Sequence, residues 1–168
     1  KVRDKDAPAS ICLICEIAAW AKDQGKTLYD LLMDIYAEYG FSKETTIYVV
    51  KPGKSGADEI KQMMEDFRKN PPTEIGGSKI CVWKDFRSLE QKNADGTTSK
   101  IDMPATSNVL QWFCEDGTKV SVRPSGTEPK IKFYCEIKDP SFKCAGCYER
   151  CTNAAMEKVA AIKKSLNL

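Results

Sequence analysis

Histidine is absent from all 168 residues. That removes the side chain most often used as a general base and the commonest nitrogen ligand for zinc, so no His-dependent triad can form within this chain. Long apolar runs are lacking too. The longest, Ile11 to Trp20, is interrupted by Glu16 and falls far short of the ~20 residues a membrane helix needs. Net charge is scarce: 26 basic residues against 24 acidic leave only +2. No global field draws the chain to nucleic acid or an anionic membrane, and anion binding has to come from a local arrangement. An initiator Met is missing as well. The opening Lys1-Val2-Arg3-Asp4-Lys5-Asp6 is too charged for a secretory signal. The expectation is a piece of a longer cytoplasmic protein.

What is present suffices for a core, with 42% hydrophobic residues. Residues 1–41 read as a charged entry and two helices. Asp6 or Ser10 caps the first, which runs toward Lys22. Thr27 with Asp30 forms a capping box for the second, whose Leu28, Leu31, Leu32, Ile35, Tyr36 and Tyr39 recur at helical spacing until Gly40 stops it. Residues 42–54 read as a hinge, with a strand from Thr45 to Val50 broken by Pro52-Gly53. From residue 55 to 168 a second section begins. A helix carries Ile60, Met63, Met64 and Phe67 on one face and ends at Asn70-Pro71-Pro72. A strand follows near Lys79 to Trp83, then a polar stretch over 88–104 that reads as a loop or weak hairpin. Asn108 to Cys114 and Thr118 to Val122 flank Asp116-Gly117 as a hairpin. Ile131 to Ile137 alternates as another strand, and a last helix covers about Cys144 to Leu166. The fold class is α+β: about four antiparallel strands with two long helices, preceded by the helical pair.

Between two of these strands stands Arg123-Pro124-Ser125-Gly126-Thr127. Strands hold both ends of this loop. Gly126 admits close approach of a ligand to the backbone and permits a positive φ. Ser125 and Thr127 bring hydroxyl donors, successive N–H groups can form an anion nest, and Arg123 can grip two phosphate oxygens as a fork. Lys130 and Lys132 add charge. A phosphate ester needs such a combination. A plain surface turn uses many of the same residues.

The run Arg123 to Tyr134 resembles the signature loop in the last domain of the α-D-phosphohexomutases, the phosphoglucomutase/phosphomannomutase superfamily. Further resemblances follow in family order: Arg3-Asp4-Lys5-Asp6-Ala7, Gln24-Gly25-Lys26-Thr27-Leu28, Phe67 to Gly77, and Ser107-Asn108-Val109-Leu110. The last two are most similar to the branch of bacterial phosphoglucomutases and related phosphopentomutases. The resemblance implies a C-terminal fragment: residues 1–41 a helical remnant of the third domain, 55–168 the phosphate-binding fourth domain with a TATA-box-binding-protein-like fold. It implies that Arg123, Ser125, Gly126, Thr127 and Lys132 contact the phosphate, and that Lys5 reaches substrate. Lys132 stands where the family commonly has Arg, which keeps the charge and loses the fork. Glu128 and Lys130 are implied to support the loop. The activity implied for the intact parent is an intramolecular phosphotransferase, an isomerase that interconverts glucose 1-phosphate and glucose 6-phosphate. It would use a phosphoserine, Mg2+ and glucose 1,6-bisphosphate. Phosphomannomutase or phosphopentomutase activity is the alternative. Partners are then the phosphosugar and the remaining domains of the same polypeptide, with no nucleic acid and no membrane. The catalytic Ser segment and the metal loop are not found here, so the fragment alone is expected to be inactive.

Eight cysteines invite other readings. Cys144, Cys147 and Cys151 have metal-ligand spacing, yet they also begin a helical stripe through Ala155, Val159, Ile162 and Leu166, and buried cysteine packs as a small hydrophobe. Cys12 and Cys15 are read as core in the same way. A Cys-metal module and a non-catalytic binding module stay as readings of a different class.

Overall fold

The computed structural model describes residues 6–168, apart from the side chain of Lys54. The chain divides into two compact units. One combines the residues up to Phe41 with Asp139–Cys151. The other combines Ser42–Lys138 with Thr152–Leu168.

In the first unit α1 (Ala7–Asp23) starts where the Asp6 carboxylate accepts the Ala9 N–H at 3.0 Å. Helix α2 (Leu28–Tyr39) starts with the full capping box. Asp30 donates its N–H to the Thr27 hydroxyl, and its carboxylate accepts the Thr27 N–H at 2.8 Å. Gly40, at φ +96°, ends it in a conformation that favours glycine. The core of this unit is aromatic. Phe41 stacks on Phe142 at 5.6 Å between centroids, and Tyr36 packs against Phe41 at 5.0 Å. Tyr148 joins them and takes the edge of Tyr29 at 5.7 Å. Helix α1 contributes one buried residue, Ala21, while Ile11, Leu13, Ile14 and Trp20 are each more than half exposed. Cys12 and Cys15 are exposed as well, which corrects their reading as core. An apolar stripe specifies a face and leaves open whether anything covers it.

The second unit is a sheet backed by helices. After β1 (Phe41–Val50) come α3 (Gly53–Lys69), β2 (Glu74–Ile75), β3 (Ser78–Asp85), β4 (Glu90–Asn93), β5 (Thr98–Lys100), β6 (Leu110–Cys114), β7 (Lys119–Pro124) and β8 (Lys130–Asp139). A single 3-10 turn (Ala145–Cys147) leads into α4 (Tyr148–Ser165), most of which belongs to this unit. The spatial order is β1-β8-β7-β6-β3-β4-β5, with β2 paired to β3. The ladders from β8 through β5 are antiparallel. The α+β class holds, with eight strands among the described residues where about four were expected. The additions are β2, which is two residues long, and the polar hairpin β4–β5, while β1, β3, β6, β7 and β8 cover the stretches expected as strands.

Alternation along β6, β7 and β8 sends Leu110, Trp112, Val120, Val122, Ile131, Phe133 and Cys135 into the core. Each such side chain contributes roughly 1.5–3 kcal/mol by leaving water. Phe67 of α3 meets Trp112 edge-on at 5.2 Å and Phe133 at 6.1 Å. From α4, Ala155, Val159 and Ile162 are buried and Lys158 pairs with Asp116 at 2.7 Å. Gly76 lies under α4 at φ +56°, and an added Cβ would stand 2.9 Å from Ile162 Cγ1, so packing and backbone both demand glycine. The α-helix begins at Tyr148, later than the expected Cys144. Only Cys151 of the three clustered cysteines is therefore buried. Cys144 is exposed and Cys147 half-buried.

Candidate phosphate site

The inward alternation of β7 and β8 leaves their other residues on the opposite face of the sheet. Register places Lys119 opposite Glu136, Ser121 opposite Tyr134, and Arg123 opposite Lys132. Gln111 of β6 donates to the Ser121 hydroxyl at 3.1 Å on the same face. Arg123 and Lys132 are thus two cations facing each other across one ladder, an arrangement that destabilises a sheet unless something negative intervenes. Among the described residues neither forms an ion pair, since the Glu128 carboxylate that feels Lys132 is bonded to Lys130, and Arg123 is exposed.

The loop 125–129 joins this end of β7 to β8. Its closure is internal. The Ser125 N–H donates to the Lys130 carbonyl at 2.7 Å, and the Lys130 N–H to the Glu128 carbonyl at 2.7 Å. The Ser125 hydroxyl oxygen accepts the Glu128 N–H at 3.3 Å and a long contact from the Thr127 N–H at 3.5 Å. A hydroxyl that accepts in this way keeps its own hydrogen to donate. The Lys51 N–H donates to the Pro129 carbonyl at 2.9 Å, which ties the loop to the end of β1. Lys130 bonds Glu128 at 2.8 Å and stands 5.9 Å from the Tyr48 ring. The bond to Lys130, helped by the nearby Lys132, holds the Glu128 carboxyl below its ordinary value. Among the described residues the Gly126 N–H and the Thr127 hydroxyl have no partner. Gly126 does not use the positive φ that glycine permits. An added Cβ there would meet nothing within 4 Å, so the chain's own backbone and packing do not require this glycine.

A cavity of about 530 Å³ opens beside the loop, lined by residues 107–109 and 123–126. A second, of about 450 Å³, runs along the same face past Arg123, Ser121, Tyr134 and Lys119 to Glu44 and Thr45 of β1. The 107–109 wall is fixed from behind. Ser107 N–H donates to the Phe86 carbonyl and Phe86 N–H to the Val109 carbonyl, each at 3.0 Å. Arg68, whose side chain is almost entirely buried, donates to Asn108 Oδ1 at 2.6 Å and to Asp85 Oδ2 at 2.9 Å. Sequence reasoning missed Arg68 in this positioning role. Its only signal was its place in the Phe67 to Gly77 segment. Lys5 lies outside the described residues. Among the described residues no group of three or more His, Cys, Asp or Glu side chains stands where it could hold a metal ion, and no helix is long and apolar enough to cross a membrane.

Residues 78–142 match the family described as phosphoglucomutase/phosphomannomutase, C-terminal domain. The phosphoglucomutase of Staphylococcus aureus strain MRSA252 is 42% identical over 142 residues, which cover 84% of this chain and 25% of that protein. The phosphoglucomutase of strain N315 is 41% identical over the same length. The chain therefore spans about a quarter of the curated relatives it matches. Among solved structures, the phosphoglucomutase pp63/parafusin from Paramecium, in its open form, aligns with 98% of this chain and 28% of its own length. The TM-score is 0.49 and the identity 15%. The chain belongs to the phosphoglucomutase/phosphomannomutase family and carries its C-terminal domain.

Proposed function

We propose that residues 123–132 hold the phosphate of a phosphosugar in a mutase that interconverts glucose 1-phosphate and glucose 6-phosphate through a phosphoserine and a bisphosphate intermediate. One observation carries this reading: Arg123 and Lys132 face each other across the β7–β8 ladder, and among the described residues neither is held in an ion pair. A dianion placed there relieves their repulsion and receives the Arg123 fork. The Ser125 and Thr127 hydroxyls and the Gly126 N–H complete the donor set. Absence of a side chain at Gly126 lets a ligand come up to the backbone, which is the one remaining reason for glycine at that position.

In such a reaction each end of the sugar has to visit the phosphoserine, so the bisphosphate turns around between two transfers. The grip on the phosphate that is not being transferred has to work in both orientations. Backbone and hydroxyl donors with one Arg fork read a phosphate and ignore the sugar, which suits that demand. The contribution of this chain is positioning and charge stabilisation. Mg2+ would supply charge neutralisation at the transferred phosphoryl group in the parent. The donor sets of the described residues do not fit it. Residues 1–41 are assigned to the third domain, with Lys5 as a substrate contact, and residues 42–54 to the hinge between it and the phosphate-binding fourth domain. Glucose 1,6-bisphosphate would prime the parent, and the 168-residue chain alone would not turn over.

Backbone amides of the isotopically labelled chain, followed by NMR, test the reading. Glucose 6-phosphate, glucose 1-phosphate and mannose 6-phosphate are expected to shift residues 123–132 alike. Glucose, and any of the three phosphates with Arg123→Ala, are expected to shift nothing. Shifts elsewhere, or a response to glucose, would refute it.

A further inference from the structure

The phosphate site uses none of the eight cysteines, and they do not form one class. Cys114 and Cys135 are buried in the sheet core, where burial pushes both thiols up to about 11. They are inert at neutral pH. Cys144 and Cys147 lie outside any core. Their sulfurs are 3.8 Å apart, across the exposed residues Ala145 and Gly146 of the single turn that leads into α4. Both thiols are free. Closure to a disulfide at about 2.05 Å asks for less than 2 Å of sulfur movement, in a turn with no bulky residue between the two.

The surroundings favour a thiolate at one of the pair. The backbone of Lys143 and Cys144, and the Cys144 thiol 3.8 Å away, draw the Cys147 thiol down to about 7. The Arg150 guanidinium, one turn along, acts on Cys147 in the same direction. Arg150 is itself held in place. It donates to the Ser141 hydroxyl at 2.8 Å and to the Cys151 sulfur at 3.4 Å, and it faces Asp139 at 3.8 Å. Cys151 is buried, and its thiol is pushed up by desolvation and by the neighbouring Asp139. The cluster therefore holds one activated sulfur, one exposed partner within closing distance, and one silent sulfur behind them. Two accessible thiols without a third ligand suit disulfide exchange and not a closed metal site.

We propose that Cys144 and Cys147 form a redox-active dithiol that exchanges with small-molecule disulfides such as glutathione disulfide. In the first step the Cys147 thiolate attacks one sulfur of the external disulfide. A mixed disulfide forms, and one glutathione leaves as thiolate and takes up a proton. In the second step the Cys144 sulfur, giving up its proton, attacks the Cys147 sulfur and expels the second glutathione. Two electrons and two protons pass from the dithiol to the external disulfide, and the Cys144–Cys147 bond remains. The reverse path restores the thiols.

The test uses the full natural polypeptide that contains these residues, equilibrated in glutathione buffers from reduced to oxidised. Remaining thiols are then blocked by alkylation and the peptides mapped by mass. The expected result is a two-hydrogen loss on the peptides holding Cys144 and Cys147, reversible with reduced glutathione, while Cys114 and Cys135 stay reduced. Cys144→Ser is expected to trap a stable glutathione adduct on Cys147. Cys147→Ser is expected to abolish the fast exchange. Cys151→Ala, a buried position where alanine keeps the chain apolar, is expected to leave the pair intact. A wild-type protein that keeps a glutathione adduct overturns the proposal. So does one that links Cys147 to Cys151, or one that purifies with one equivalent of zinc bound by these thiols.

Discussion

Two ends of one ladder differ in what they do with charge. Strands β7 and β8 carry three outward pairs in sequence. At one end Lys119 meets Glu136 as an ion pair, and Lys138 also approaches Glu136 at 3.5 Å. At the other end Arg123 meets Lys132, neither is in an ion pair among the described residues, and the Glu128 carboxylate that acts on Lys132 is bonded to Lys130. Backbone, face and strand order are the same, so the difference is in the side chains alone. The neutralised end is finished by folding, whereas the cationic end is the one proposed to be finished from outside. A site can thus be recognised by the pair that the fold leaves unbalanced, without any ligand in view.

The largest effect is expected from breaking the cationic end. Arg123→Ala removes a charge-assisted fork worth roughly 1.5–3 kcal/mol. Phosphosugar affinity in the parent, measured by calorimetry, is expected to fall about tenfold to a hundredfold. Lys132→Glu makes the two ends alike. It adds a cross-strand ion pair, raising stability by roughly 0.2–1 kcal/mol in urea unfolding, and it lowers phosphate affinity at the same time. A gain in stability without loss of affinity would separate Lys132 from the site. Glu136→Gln does the reverse at the neutral end: stability falls by about 1 kcal/mol or less and phosphate binding holds. The smallest effect concerns pH. The hydrogen bond from Lys119 holds the Glu136 carboxyl below its ordinary value. Its stabilisation is therefore fully present above the unfolded carboxylate value, near 4.5, and is lost as pH falls through the lower folded value. Urea midpoints of wild type and Glu136→Gln are expected to differ at pH 7 and to converge in acid. A constant difference would assign the effect to packing.

Local chemistry made much of this legible from residues alone. Asp6, Thr27 with Asp30, and Gly40 set helix ends, because caps are short-range devices. Asp116-Gly117 likewise marked the β6–β7 hairpin, and Gly117 takes φ +83°. Strands β4 and β5 were only half legible: Glu90–Asn93 and Thr98–Lys100 are polar on both faces and give no alternation, so residues 88–104 read as a loop or weak hairpin, and the hairpin is what forms. The start of β1 was hidden for a similar reason: Ser42, Lys43 and Glu44 do not read as strand. At the site, the loop residues could be singled out, but the facing of Arg123 and Lys132 depends on register, which no residue states by itself. The left-handed conformation that Gly126 permits is not adopted. Cysteines misled in one direction. A helical stripe made Cys12, Cys15 and Cys144 look like core, and all three are exposed.

Arg68 has a consequence beyond the wall it supports. Its guanidinium joins α3, where it originates, to Asp85 at the end of β3, 17 residues on, and to Asn108, 40 residues on. These three segments are distant in sequence and meet at one almost solvent-free charge. None can open alone without leaving that charge short of a partner, a cost of several kcal/mol. Helix end, strand end and site wall should therefore exchange their amide hydrogens as one cooperative unit. The rigidity of the cavity rim is then inherited from the interior of the sheet.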